Sequence, residues 1–139
     1  MGLQMGLNTD YISLICTAEN ATLGEVVYIY KIENVYTEAV SGVRVDNEGD
    51  DNDNGTLVII PSPAKCSEAY LTPKQWEKLT VSQKGDYFTY RLGDYVLINE
   101  TPVGCTSLEE IKSKYDNMFA IQKIKEFNKL LPHFELICR

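Results

Sequence analysis

Ten residues, DNEGDDNDNG at positions 46–55, form the densest set of metal-competent oxygens in the chain. Asp46, Glu48, Asp50, Asp51 and Asp53 supply carboxylates, Asn47, Asn52 and Asn54 carboxamides, and Gly49 and Gly55 allow tight turns. Calcium takes about six to eight oxygen ligands, and its helix–loop–helix site combines D-x-[DN]-x-[DN]-G with a bidentate glutamate that closes the loop. Asp50, Asn52, Asn54 and Gly55 fit the first half, and Leu57 falls where that loop has its central aliphatic residue. The closing position is Pro61, which has no side-chain ligand, and the next segment reads as a strand rather than an exiting helix. Half a motif assigns no metal. The stretch reads as a solvated acidic hairpin loop, with ordering against a partner as the competing assignment.

Other candidate chemistry is thinner. Cys16, Cys66, Cys105 and Cys138 contain no C-x-x-C pair, and His133 is the single histidine, whereas zinc sites are usually built from close ligand pairs. Such cysteines read as buried free thiols in a reducing compartment. A serine or cysteine nucleophile needs a base, and the one imidazole follows Pro132 without any nucleophile elbow elsewhere. Glu109 and Glu110 are adjacent carboxylates, but they fall in the first turn of an expected helix, where negative charge is favoured for local reasons. No phosphate-binding glycine loop occurs. The expectation is a protein without catalytic residues, metal or cofactor. Aromatic residues are the better candidates for function. Tyr28, Tyr30 and Tyr36 on one strand are interface candidates with the core as an equal alternative, and Trp76 on a short helix is an interface candidate whose favoured assignment is the local core.

The elements that position these residues follow from patterning. At 139 residues, 44% hydrophobic and 24% charged, the chain fits one globular domain over 1–139. YISLICTA (11–18) and VVYIYKIENVYTE (26–38) read as strands, the second too apolar on both parities for a sheet with one wet face. VSGVRV (40–45) and TLVIIP (56–61) flank the acidic loop as hairpin arms. LTPKQWEKL (71–79) reads as a helix with Thr72 as N-cap and Pro73 in its first turn. GDYFTYRLGDYVLIN (85–99) reads as two strands around a turn at Gly93-Asp94. TSLEEIKSKYDN (106–117) is a helix with a Ser107/Glu110 capping box. NMFAIQKIKEF (117–127) leans to strand over helix, and HFELICR (133–139) closes the chain as a strand. The fold class is mainly β (α+β), a small barrel or sandwich with two short helices.

Charge is uneven. Residues 1–70 carry eleven acids and three bases (−8), and residues 71–139 nine acids and ten bases (+1). That balance argues against specific duplex binding and leaves room for an acidic surface that stays near DNA without sticking to it. The N-terminus has no charged-then-apolar leader and no apolar run is long enough to span a bilayer, so a soluble intracellular protein with no membrane partner is expected.

In element order, VVYIYKIENV, GTLVIIP, YLTPKQWEKL, DYFTYRLGDYVL and LEEIKSKYDNMFAIQKI resemble a family of small proteins from tailed-phage and prophage structural modules. The resemblance covers roughly residues 11–127; the acidic insertion and the LLPHFELICR terminus depart from it. It implies a non-enzymatic virion protein, a head–tail connector or head-completion subunit of the stopper or adaptor kind. Such subunits form a homo-oligomeric ring around the DNA channel, beside portal, adaptor and tail or neck proteins, after assembly in the host cytoplasm. DNA would pass through without being specifically bound. The alternative is a monomeric small-β binding module, an inhibitor or adaptor with a Tyr-rich face. A connector should expose apolar strand edges; a monomeric module should protect its edges and carry one compact aromatic patch.

Overall fold

The computed structural model describes residues 9–40 and 55–139. Asp46, Glu48, Asp50, Asp51 and Asp53, the expected arm over 41–45 and the half calcium motif before Gly55 lie outside the described residues.

Strands β1 (Asp10–Asn20) and β2 (Gly24–Val40) form a long antiparallel hairpin. Its polar link is set by Asn20, whose Oδ1 accepts from the Thr22 and Leu23 amides at 2.9 and 2.8 Å, and by Gly24 at φ 77°. At Asn34, which adopts φ 58°, the β1–β2 register shifts, and after the last pair, Asp10 with Val35, β2 pairs through Tyr36–Val40 with β3 (Gly55–Pro61). The hairpin across the acidic segment is therefore made by the end of β2 itself. A two-residue strand β4 (Lys65–Cys66) continues along β2 after the prolines interrupt β3.

From β3 the pairing runs to β9 (His133–Cys138), then β8 (Met118–Phe127), β7 (Tyr95–Ile98) and back to β1. With the β1–β2 pairing, six antiparallel strands close into a ring. Two long strands turn its corners. Residues of β2 pair first with β1 and then with β3, while β8 pairs with β7 through Met118–Ala120 and with β9 from Ile121 onward. An irregularity between Ile121 and Lys123 lets β8 bend there.

Side-chain alternation decides which layer each residue joins. Ile12, Leu14 and Cys16 of β1, with Tyr28, Tyr30 and Ile32 of β2, enter the main core. Ile15, Val27 and Ile29 point to the opposite face, where Leu108, Ile111 and Tyr115 cover them from α3 (Leu108–Lys114) and its end. This explains why 26–38 is apolar on both parities.

The segment between β4 and β7 carries a small parallel pair, β5 (Ala69–Tyr70) with β6 (Tyr87–Phe88), and helices α1 (Pro73–Glu77) and α2 (Val81–Lys84). Each helix has a reciprocal capping box, Thr72 with Gln75 and Thr80 with Gln83. The described residues thus hold three helices where two were expected, because four-residue α2 is too short to show helical periodicity and is announced by its cap alone. The expected pairing of the strands flanking Gly93-Asp94 also gives way. Gly93 N donates to Ile121 O at 2.9 Å and Ile121 N to Asp94 O at 2.8 Å, so β8 takes the groups a local hairpin would have used.

Candidate functional site: an aromatic cavity beside a saturated core

Three of the four aromatic residues placed as interface candidates are core. Trp76 is 0% exposed, Tyr30 1% and Tyr28 8%; only Tyr36, at 41%, faces solvent, where its hydroxyl donates to Glu38 Oε1 at 3.0 Å. The short helices need a wall to bury against, and the β2 tyrosines supply it with ring and hydroxyl together. Tyr28 OH donates to Val81 O at 3.0 Å and Tyr30 OH to Lys84 O at 2.6 Å, so each satisfies a carbonyl of α2. Trp76 stands edge-on to Tyr28, with centroids 5.6 Å apart at 87°, and its Nε1 donates to Tyr87 O at 2.9 Å. Burial raises the Tyr30 phenol far above its ordinary value, which keeps it a neutral donor.

Two cations lie on the Trp76 ring, Lys84 Nζ at 5.1 Å and the Arg91 guanidinium at 4.6 Å from its centroid. Lys84 Nζ also donates to Leu79 O at 2.6 Å. Arg91 binds Asp94 in bidentate fashion, Nε to Oδ2 at 2.8 Å and Nη2 to Oδ1 at 3.1 Å, and reaches Thr17 O at 2.6 Å. The Thr17 bond ties down a carbonyl of the β1 arm beyond its pairing with β7. These polar groups are consumed by the protein itself, so this cluster is a structural node.

A second aromatic group is open. Tyr70 at the end of β5, Phe88 of β6, Tyr90 just after it and Phe134 of β9 surround a cavity of about 380 Å³. That volume falls within the range of small-ligand sites. Ring centroids are 4.7 Å apart for Tyr90–Phe134, 5.3 Å for Tyr70–Phe134 and 5.4 Å for Tyr70–Tyr90. Phe88, Tyr90 and Phe134 are buried and Tyr70 is half-buried. The Ser62–Ala64 link between β3 and β4 forms one wall, and Glu68, Glu126 and Asn128 complete the lining. Glu68 Oε1 accepts from Cys66 Sγ at 3.2 Å. Burial raises the Tyr70 phenol, and the neighbouring Glu126 charge raises it further. Tyr90 is 3% exposed, and its hydroxyl has no hydrogen-bond partner among the described residues. Among the described residues, none of the sequence-assigned interface candidates, Tyr28, Tyr30, Tyr36 and Trp76, lines this cavity. Its rings come from positions 70, 88, 90 and 134, which no local spacing connects.

With that geometry in view, comparison with known families is direct. Residues 8–139 match the family described as "Family of unknown function (DUF6751)". The chain belongs to DUF6751. No curated protein and no solved structure matches it. The description of DUF6751 carries no activity, partner or assembly.

The remaining candidate chemistry of the DUF6751 chain resolves into local structure. His133 stacks on Phe127 at 4.6 Å and 7°, with Nδ1 2.7 Å from Leu131 O and Nε2 3.1 Å from Glu135 Oε2. Ser107 Oγ accepts from the Glu110 amide at 3.1 Å, but Glu110 Oε1 accepts from Thr106 N at 2.9 Å rather than from Ser107 N. The expected capping box is thus half formed, and the Thr106 bonds hold the Glu110 carboxyl below its usual value. Among the described residues no group of three or more His, Cys, Asp or Glu is placed to hold a metal, and no helix is long and apolar enough to cross a membrane.

All four cysteines are free, Cys16 and Cys138 buried, Cys66 and Cys105 partly exposed. Burial pushes Cys66 and Cys138 up to about 12, and raises Cys16 well above its ordinary value with help from the Asp94 charge. The thiolate is the reactive form, so at about pH 8 a thiol reagent should modify Cys105 first. Counting modified thiols by mass spectrometry should give one fast site in the native protein and four in urea; fast native labelling of Cys16 or Cys138 would contradict their burial.

Proposed function

We propose that this DUF6751 chain is a non-enzymatic small-β binding module whose recognition site is the aromatic cavity at Tyr70, Phe88, Tyr90 and Phe134. The observation that carries this reading is the cavity itself. It pairs a wall of four rings with a few polar groups, the composition of sites that bind small ligands or side-chain heads. Closure of the six-stranded ring supports it too, since a module acting alone must protect its strand edges. The test is a small-molecule fragment screen read by aromatic-proton NMR. Hits should perturb the rings of Tyr70, Tyr90 and Phe134 together; hits confined to other surfaces, or none, would overturn the assignment.

A second reading has its own support. The β8–β9 hairpin carries Phe127 at 40% and Leu130 at 98% exposure, apolar surface of the kind that neighbouring subunits bury. It favours a head–tail connector subunit that assembles as a ring around a DNA channel. Light scattering separates the two. The binding module runs at the 15.7 kDa of one chain, and a connector runs as a ring alone or once portal protein is added.

A further inference from the structure

We infer that the aromatic cavity takes a compact organic cation, an alkylated ammonium head, either free or at the tip of a lysine side chain. This rests on the binding-module reading and names its ligand class. Four observations converge on it. The cavity is walled by Tyr70, Phe88, Tyr90 and Phe134, with Tyr70 stacked on Tyr90 at 30° and the other rings inclined at 48° for Tyr70–Phe134, 56° for Tyr90–Phe134 and 63° for Phe88–Tyr90. An aromatic π-face attracts a cation through the ring quadrupole. Among the described residues the two charged groups in the lining, Glu68 and Glu126, are both acidic, and no lysine, arginine or histidine lines the cavity.

Third, the arrangement differs from the Trp76 node in the one respect that matters for a ligand. At Trp76 the ring already carries Lys84 and Arg91 from the protein, whereas no cation of the protein lies over Tyr70, Phe88, Tyr90 or Phe134 among the described residues. Fourth, the buried Tyr90 has an unpartnered hydroxyl, which a polar substituent on the ligand can engage. An apolar ligand would leave that hydroxyl and the two carboxylates facing an uncharged group, at a desolvation cost. An anion would meet two like charges. A quaternary or methylated ammonium, weakly hydrated and positively charged, suits both the rings and the carboxylates.

The experiment is a calorimetric and NMR titration of the full chain with choline, and with its neutral carbon isostere 3,3-dimethylbutan-1-ol. Choline should bind at least about tenfold more tightly than the isostere, with shifts on Tyr70, Tyr90 and Phe134. In E68Q/E126Q, with circular dichroism unchanged, that preference should fall to within about threefold. A short peptide bearing trimethyllysine is the second arm. Tighter binding of the peptide than of choline marks a side-chain source, and the reverse a free small molecule; either supports the inference. Equal affinity for choline and the isostere overturns it while leaving the binding-module reading standing. Failure of choline, tetramethylammonium and the peptide to bind at about 20 mM also overturns it. Absence of fragment hits as well brings down both.

Discussion

Replacing Trp76 with alanine should cost about 3–5 kcal/mol of folding stability, the usual range for truncating a fully buried aromatic side chain. Single domains are stable by about 5–15 kcal/mol, so the variant should sit close to its unfolding threshold at physiological temperature. The loss has three physical parts. The ring is 0% exposed and leaves a void between α1 and the β2 tyrosines. Tyr87 O loses its donor, and Lys84 and Arg91 lose the π-face on which they lie. Trp76→Phe keeps most of the volume but not the N–H, so it should cost less. Urea titration followed by far-ultraviolet circular dichroism measures both. Wild-type fluorescence provides a check, because Trp76 is the single tryptophan and should emit blue-shifted until the fold opens. A W76A midpoint equivalent to less than about 0.5 kcal/mol of change would mean that the helix does not pack as described.

Asp94→Ala should cost about 1–3 kcal/mol, because it removes the bidentate partner of a largely buried guanidinium, which keeps its bond to Thr17 O and the Glu77 carboxylate at 3.6 Å. The side chains of Arg91 and Asp94 are only 19% and 8% exposed, so water screens the pair weakly. Replacing both with apolar residues of similar size, Arg91→Met with Asp94→Leu, should restore much of what the single change loses. The pair also carries a pH signature. For Arg91, burial alone would lower the pKa, but the bonds and charge of Asp94 raise it above the ordinary value. For Asp94, burial raises the pKa by more than Arg91 lowers it, leaving it above its ordinary 3.8. The folded state then holds the Asp94 proton more tightly than the unfolded chain does. This contribution to stability is complete below the unfolded pKa and is lost as pH rises through the folded one. Unfolding free energy measured from pH 3 upward should show that decline in the wild type, over a window beginning at the ordinary carboxylate value, and D94N should remove it. An identical pH profile in D94N would refute the assignment.

Much of the fold was legible because its signals are local. Thr72 before Pro73 announces α1, and the apolar run 11–18 lies within β1. The segment 117–127, balanced between helix and strand by its spacing, is strand β8, because its Ile and Phe residues pair across β7 and β9. Where local signals competed with distant partners, the distant ones prevailed. Gly93-Asp94 has the composition of a hairpin turn, yet its backbone bonds to Ile121. Ser107 and Glu110 have capping-box spacing, yet the carboxylate turns to Thr106. The tyrosines of β2 were ambiguous for a related reason. Their types suit a wet interface or a core with polar tips, and only the position of α2 carbonyls at Val81 and Lys84 selects the core.

What the amino-acid order determined by itself is a mainly β chain with short capped helices and no recognisable catalytic or phosphate-binding motif. Periodicity shows that a strand has two apolar faces, as at 26–38, without saying what covers either. Tertiary structure decided the rest. Pairing β1 with β2 closed the ring, and the register of β3 with β9 put Phe134 opposite Ile60 and into the main core. A slip of one residue in that register would send Phe134 to the other face and His133 inward. The cavity exists because four rings separated by as many as 64 positions meet in space. Long-range hydrogen bonding sets that meeting, and no nearest-neighbour pattern encodes it.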